Sequence, residues 1–290
     1  MKFLVLGSSG QIGNALTKFL IEQKQEVLEF DIVRSPQEDL RIPRNEILRQ
    51  HMLAADFVFF LAFDVGGSRY LKTYEHTFDF LLNNTRLMSN TFECLRKTHK
   101  PFIFASSQMS NMGFSPYGLL KALGEKYTLS LNGVIVKLWN VYGIERDLAK
   151  AHVITDFILK ARDYRCIDMM TDGTEERQFL YADDCSEGLY ILSQSYDNID
   201  RKKELHLTSF EWAKIVEVAK IVAGFFPGTV IISNESKDDV QKGQRNEPDA
   251  YILQHWKPRT SLREGIEQIV AQITKTPLKD KRKKEIPCVN

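Results

Sequence analysis

The sequence predicts an α/β protein, a doubly wound parallel sheet of the Rossmann type with a smaller C-terminal α/β lobe. Three observations carry this expectation. A short apolar strand, Lys2–Leu6, enters a loop with glycines at 7, 10 and 13 and then an amphipathic helix. Apolar runs recur at Glu26–Phe30, Asp56–Phe63, Phe102–Ala105 and Gly133–Leu138, each short enough and apolar enough for a strand covered on both faces. Helical patterns lie between several of these runs, as parallel strands require.

Each element carries a local reason. In Gly7-Ser8-Ser9-Gly10-Gln11-Ile12-Gly13 the glycines allow a tight turn and close packing of the helix NALTKFLIEQ, with backbone N–H groups of Gln11 and Ile12 free at its start. That arrangement suits the pyrophosphate of a dinucleotide. Asp31 ends the second strand where an acid accepts hydrogen bonds from an adenosine ribose, and its charge repels a 2′-phosphate. NAD is therefore the expected cofactor, with Arg34 close enough to leave NADP open. Asp39-Leu40 is placed beside the adenine, and Leu61-Ala62 completes the cofactor wall where DFVFFLAF ends. Gly66-Gly67 follows at the strand edge where α/β sheets bind ligands, and is assigned to substrate.

The helix FDFLLNNTRLMSNTFECLRK, from about Phe78 to Lys97, is expected to pack on the sheet. Its outer apolar residues, with those of the helix starting near Tyr117, form a candidate homodimer seam. Between these helices, FIFASSQMSNMGFSPYGLLK (102–121) delivers Ser106 and Ser107 at a strand's C-terminal end. Ser115 caps a helix and Pro116 opens it, so Tyr117 and Lys121 fall one turn apart on one face. A nearby ammonium favours phenolate, so Lys121 is expected to draw the Tyr117 pKa down from about 10 towards neutrality. Tyr117 then acts as general acid or base, and Ser107 or Ser106 holds the same substrate oxygen. The chemistry is interconversion of alcohol and ketone.

After Gly133–Leu138 comes Trp139-Asn140-Val141-Tyr142-Gly143, then the helix AHVITDFILKAR and a strand Arg177–Ala182. Asp183-Asp184 is read as the cap of CSEGLYILSQSY, and Thr208-Ser209 as the cap of FEWAKIVEVAKIVAGFF. Thr229–Ile232 is a strand, and Ser261 caps a last helix, LREGIEQIVAQI. Residues 1–140 and 177–196 are assigned to the cofactor domain, 141–176 and 197–274 to a substrate lobe, and the Lys-rich 275–290 to a disordered tail.

Composition narrows the partners. With 43% hydrophobic and 27% charged residues and a formal net charge of +1, there is no global electrostatic case for nucleic acid or an anionic membrane. The four cysteines have no Cys-x-x-Cys spacing and the six histidines no ligand spacing, so neither a disulfide framework nor a metal is implied. Glycine breaks the opening apolar run too early for a signal peptide. A cytoplasmic enzyme acting on a small molecule is expected.

These motifs, in this order and approximate spacing, resemble the extended short-chain dehydrogenases/reductases, in their nucleotide-sugar epimerase/dehydratase branch, over about residues 1–274. The resemblance implies a nucleotide-diphosphate sugar bound between two lobes. It implies that Asn140 contacts the diphosphate and that Arg177 and Arg245 supply its cations. Dehydratases of this family carry an Asp-Glu pair after the catalytic hydroxyl residue, where this chain has Gln108 and Met109. Met109 also replaces the cysteine of the GDP-mannose 3,5-epimerases and GDP-fucose synthases, although Val65-Gly66-Gly67, Asn83-Asn84-Thr85 and Gly243-Gln244-Arg245-Asn246 resemble those enzymes. The chemistry left is 4-epimerisation through a transient 4-keto sugar, or reduction of a 4-keto deoxy sugar or heptose. A non-catalytic dinucleotide sensor is a third reading. The link from Ser107 to Tyr117 is short for the family, which opens one wall of the expected sugar pocket.

Overall fold

A computed structural model describes residues 1–145, 147–242 and 244–275. The expected tail lies, apart from Lys275, outside the described residues. In chain order the elements are β1 (Lys2–Leu6), α1 (Gln11–Glu22), β2 (Glu26–Phe30), α2 (Glu46–Ala54), β3 (Phe57–Phe60), α3 (Ser68–Tyr74), α4 (Phe78–Thr98), β4 (Phe102–Ser107), α5 (Pro116–Ser130) and β5 (Val134–Leu138). The second half adds β6 (Asn140–Tyr142), α6 (Val153–Tyr164), β7 (Cys166–Asp168), β8 (Glu176–Tyr181), α7 (Ala182–Gln194), β9 (Leu205–Leu207), β10 (Trp212–Lys214), α8 (Ile215–Gly224), β11 (Val230–Ile232) and α9 (Leu262–Lys275).

The main sheet is parallel throughout, in the order β2-β1-β3-β4-β5-β9. Alternation along its strands explains the double layer. Phe3, Val5, Phe57, Phe59 and Ile103 join one core, which also holds Leu16, Leu20, Leu189 and Leu192 of α1 and α7. Leu4, Leu6, Val58, Phe60, Phe102 and Phe104 join another with residues of α2, α4 and α5. The central strands β1, β3 and β4 carry long apolar runs because both of their faces are buried.

A third core, with Phe157, Ile158, Phe179, Val218, Val222, Ile266 and Ile269, organises the smaller lobe around the sheet β10-β8-β6 and the pair β11-β7. This departs from the expected division of the chain at two strands. Leu205–Leu207, assigned to the substrate lobe, pairs with β5 in the main sheet, whereas β8, whose residues 177–181 were assigned to the cofactor domain, pairs with β6 and β10 in the second sheet. The main sheet needs a sixth strand to cover the outer edge of β5, and β9 supplies it.

Two expected caps are also corrected. Tyr181 precedes α7, and Asp184 inside its first turn accepts hydrogen bonds from the backbone of Arg259 and Thr260, each at 2.8 Å, which ties the C-terminal segment to the helix. Thr208 does not start a helix: its hydroxyl donates to Gln178 Oε1 at 2.9 Å, residues 212–214 form β10, and α8 begins at Ile215. Cys94 and Cys185 are free thiols. No helix among the described residues is long and apolar enough to cross a membrane.

Candidate active site

The C-terminal ends of β1, β3, β4 and β5 open on one cavity of about 870 Å³. Its first part is the glycine loop. Gly7 takes φ +88°, and a Cβ on Gly13 would lie 2.0 Å from the Gly7 carbonyl oxygen, so both positions require glycine. The start of α1 has no side-chain cap and no acidic residue in its first turn, which leaves N–H donors and the positive helix end facing the cavity. Ser8 Oγ and Gln11 Nε2 are buried without a partner. A loop of this shape with unspent donors fits a pyrophosphate.

Asp31, at the end of β2, lines the same cavity, and its carboxylate accepts from Ser9 N and Val33 N, both at 2.9 Å. Arg34, which left NADP open, is bound to Glu29 at 3.0 Å and lies 3.7 Å from Glu38, whose carboxylate also accepts from Asp31 N at 2.9 Å. The basic group near the ribose position is therefore already neutralised by two acids. Asp39 and Leu40 line the cavity too, with Asp39 bidentate to Arg41. Leu61, Ala62, Gly66 and Gly67 continue the wall. A Cβ on Gly67 would lie 2.6 Å from Ala151 O, so this glycine also allows the loop to pack against the segment before α6.

The candidate serine, tyrosine and lysine meet at the end of β4. Ser115 Oγ accepts from Gly118 N at 3.1 Å, as its expected cap role requires, and Pro116 opens α5. Buried Glu75, at the end of α3, accepts from Ser115 Oγ at 2.8 Å and steadies this turn. Tyr117, Lys121, Ser106 and Ser107 all line the cavity, with Ser107 near enough to the Tyr117 phenol to oppose the effect of its burial. Ser106 Oγ donates to Glu125 at 2.5 Å.

The expected lowering of the tyrosine pKa is not found. Burial pushes the Tyr117 phenol up to about 12, against the opposing Ser107 hydrogen bond. Burial likewise pushes Lys121 down to about 7, opposed by the charge of Glu125. Lys121 is only 4% exposed, donates to Ala105 O at 2.6 Å and sits 3.8 Å from the centroid of the Phe63 ring. Desolvation is the largest influence on both groups, so at neutral pH Tyr117 is a protonated phenol.

Asn140 lines this cavity and a smaller one of about 130 Å³ beside it. Arg177 lines only the smaller one, where it pairs with Asp238 at 2.5 Å. Arg245 lines neither of these cavities: it stacks 3.9 Å from the Trp212 ring and pairs with Glu176 and Glu247. The two expected cations are thus not brought together in the large cavity.

Sequence reasoning missed a polar group on the far wall. Lys150 Nζ lies 2.8 Å from Asp64 Oδ1, and His152 Nδ1 lies 2.6 Å from Glu145 Oε1, with all four residues lining the cavity. Burial opposes the imidazolium, but Glu145 outweighs it and holds the His152 pKa above the usual range. These residues come from loops with no periodicity, so only the fold assembles them. No cluster suited to a metal ion occurs among the described residues.

The chain is 24% identical over 299 residues to GDP-L-fucose synthase of Sinorhizobium fredii, covering 90% of this chain and 92% of that protein. It is 25% identical over 304 residues to a putative UDP-glucose 4-epimerase of Methanocaldococcus jannaschii, covering 92% of this chain and 96% of that one. The fold matches the UDP-glucose 4-epimerase of Thermotoga maritima, solved with UDP-glucose, at a TM-score of 0.78 and 20% identity over 95% of this chain and 99% of that one. The model of the NAD dependent epimerase/dehydratase family matches residues 3–207, which span the glycine loop, Asp31, Ser107, Tyr117 and Lys121. The chain belongs to the NAD-dependent epimerase/dehydratase family.

Proposed function

We propose that this enzyme is an NAD-dependent epimerase acting at C4 of a nucleotide-diphosphate sugar through a transient 4-keto intermediate. The observation that carries this reading is the meeting of Ser107, Tyr117 and Lys121 in one cavity with the glycine loop, with no second acid–base pair at positions 108 and 109 for dehydration. Bound NAD would supply the hydride acceptance and return that this chemistry needs. The glycine loop and the start of α1 would hold its pyrophosphate, and Asp31 its adenosine ribose. Ser107 orients the C4 oxygen, Tyr117 exchanges the proton on that oxygen, and Lys121 holds the nicotinamide ribose and supports charge on the phenol. Return of hydride to the opposite face of the ketone requires the sugar to turn.

Asn140 and Arg177 are assigned to the diphosphate, which must then displace Asp238 from Arg177. Arg245 sits outside both cavities and reaches a ligand only if it leaves Trp212. The exposed apolar residues Phe78 and Leu81 of α4 and Leu119, Leu123 and Tyr127 of α5 support the homodimer seam.

A second reading, reduction of a 4-keto sugar, is favoured by the protonated Tyr117 and by the Glu145–His152 pair. A ketone acidifies the carbons beside it, and His152 could exchange protons there before reduction. Tyr117→Phe tests the shared core of both readings: dinucleotide affinity is expected to stay within about twofold while turnover falls by at least about a hundredfold. Near-parental turnover would sink the assignment.

A further inference from the structure

Tyr117 and Lys121 are followed, one more turn along α5, by Glu125, which the chemistry above does not use. Its carboxylate is held from two strands. Ser106 Oγ of β4 donates to Glu125 Oε1 at 2.5 Å, and Lys137 Nζ of β5 lies 4.0 Å away. Ser106 and Lys137 are direct partners in the β4–β5 register, so the clamp is set by the sheet itself. The side chains of Lys137 and Glu125 are 3% and 16% exposed. Lys137 also donates to Glu204 Oε1 at 2.6 Å and to Asn111 Oδ1 at 3.1 Å. Glu204 in turn lies 2.8 Å from His206 Nε2, and Trp139 donates to His206 Nδ1 at 3.1 Å.

Such a network is costly under a sheet, where apolar packing would serve stability as well. Its charges alternate: Lys121, Glu125, Lys137, Glu204. Lys137 is shared between Glu204 at 2.6 Å and Glu125 at 4.0 Å, and Glu125 is the acid that lies one turn along α5 from Lys121. Around Lys121 itself stand the Ala105 carbonyl from β4, the Phe63 and Phe104 rings, and Tyr117 and Glu125 of its own helix. Glu125 is the acid in that set.

We infer that Glu125 is a positioning residue for Lys121: held by Ser106 and Lys137, its carboxylate keeps the buried ammonium charged in the working range of the site. The functional consequence rests on the role given to Lys121 above, but the electrostatic relation does not. Burial draws Lys121 down to about 7 and the charge of Glu125 opposes it, so loss of that charge favours the neutral amine further.

The test is the titration of Lys121 in the purified chain labelled with ¹³Cε-lysine, its resonance assigned by loss in Lys121→Met. Glu125→Gln retains an acceptor for Ser106 and is expected to lower the Lys121 midpoint by about one unit or more, a tenfold change in protonation equilibrium. Glu125→Asp is expected to keep most of the parental midpoint. In parallel, NADH affinity followed by fluorescence should begin to weaken at correspondingly lower pH in Glu125→Gln. An unmoved Lys121 midpoint in folded Glu125→Gln would overturn the inference and leave Glu125 a structural clamp. Should that variant not fold, Ser106→Ala releases the carboxylate while keeping every charge, and is expected to shift the midpoint in the same direction by less. No shift there would overturn it equally. Because the resonance is read without any sugar, failure of the C4 reaction to appear would not be confused with either outcome.

Discussion

At the residue scale, the identities of Ser107, Tyr117 and Lys121 were legible from spacing, because a helix places i and i+4 on one face and the strand end sets the serine beside them. Their protonation was not legible. The sequence shows that a lysine is near a tyrosine, but only the fold shows that both are desolvated, and desolvation decides the sign for each. Lys121 titrates near 10.5 ordinarily and near 7 in the folded chain, so between these values the unfolded state binds more protons and stability rises with pH. Lys121→Met removes this dependence. Its stability relative to the parent is expected to be greatest at and below about pH 7 and to shrink towards about pH 10 in urea unfolding; a difference independent of pH would contradict the burial of a titrating ammonium.

Asp31 belongs to the same scale. With Arg34 occupied by Glu29 and Glu38, the selection against a 2′-phosphate falls to carboxylates. Asp31→Ala is expected to weaken NAD by at least about tenfold and NADP much less, measured by calorimetry. Equal weakening of the two would remove Asp31 from cofactor choice.

At the scale of elements, long periodic segments were read well: α4 was expected at Phe78–Lys97 and runs Phe78–Thr98. Short ones were not. The nine residues of α2, the seven of α3 and the three each of β7 and β10 are too brief to show a period, and they owe their form to tertiary pairing. Asp184 misled for a related reason, since an acid near a helix start resembles a cap whether its partner is that helix or, as here, the 259–260 backbone. The glycine loop was legible because sterics there are local. A Cβ at Gly13 meets backbone at 2.0 Å whereas one at Gly10 meets it at 3.3 Å, so Gly13→Ala is expected to lose at least about tenfold in NADH affinity, or to unfold, and Gly10→Ala to lose less. Parental affinity in Gly13→Ala would mean that the tight turn is not what binds the dinucleotide.

At the scale of the molecule, the sequence showed two lobes but misassigned β8 and β9, because strand membership depends on pairing across distant stretches of chain. The same limit hid the cavity's far wall, where Asp64, Lys150, Glu145 and His152 converge from separate loops, and the pairing of Arg177 with Asp238. The most direct measurement is proton NMR in D₂O of the purified protein with UDP-, GDP-, dTDP- and ADP-hexoses and no added nicotinamide. The account predicts a C4 epimer of one of them that retains its C4 hydrogen, because the hydride never leaves the site, and that carries no deuterium at C3 or C5. Absence of any epimer, together with turnover of a 4-keto sugar only when NADH is consumed in equal amount, would contradict it and make the enzyme a reductase.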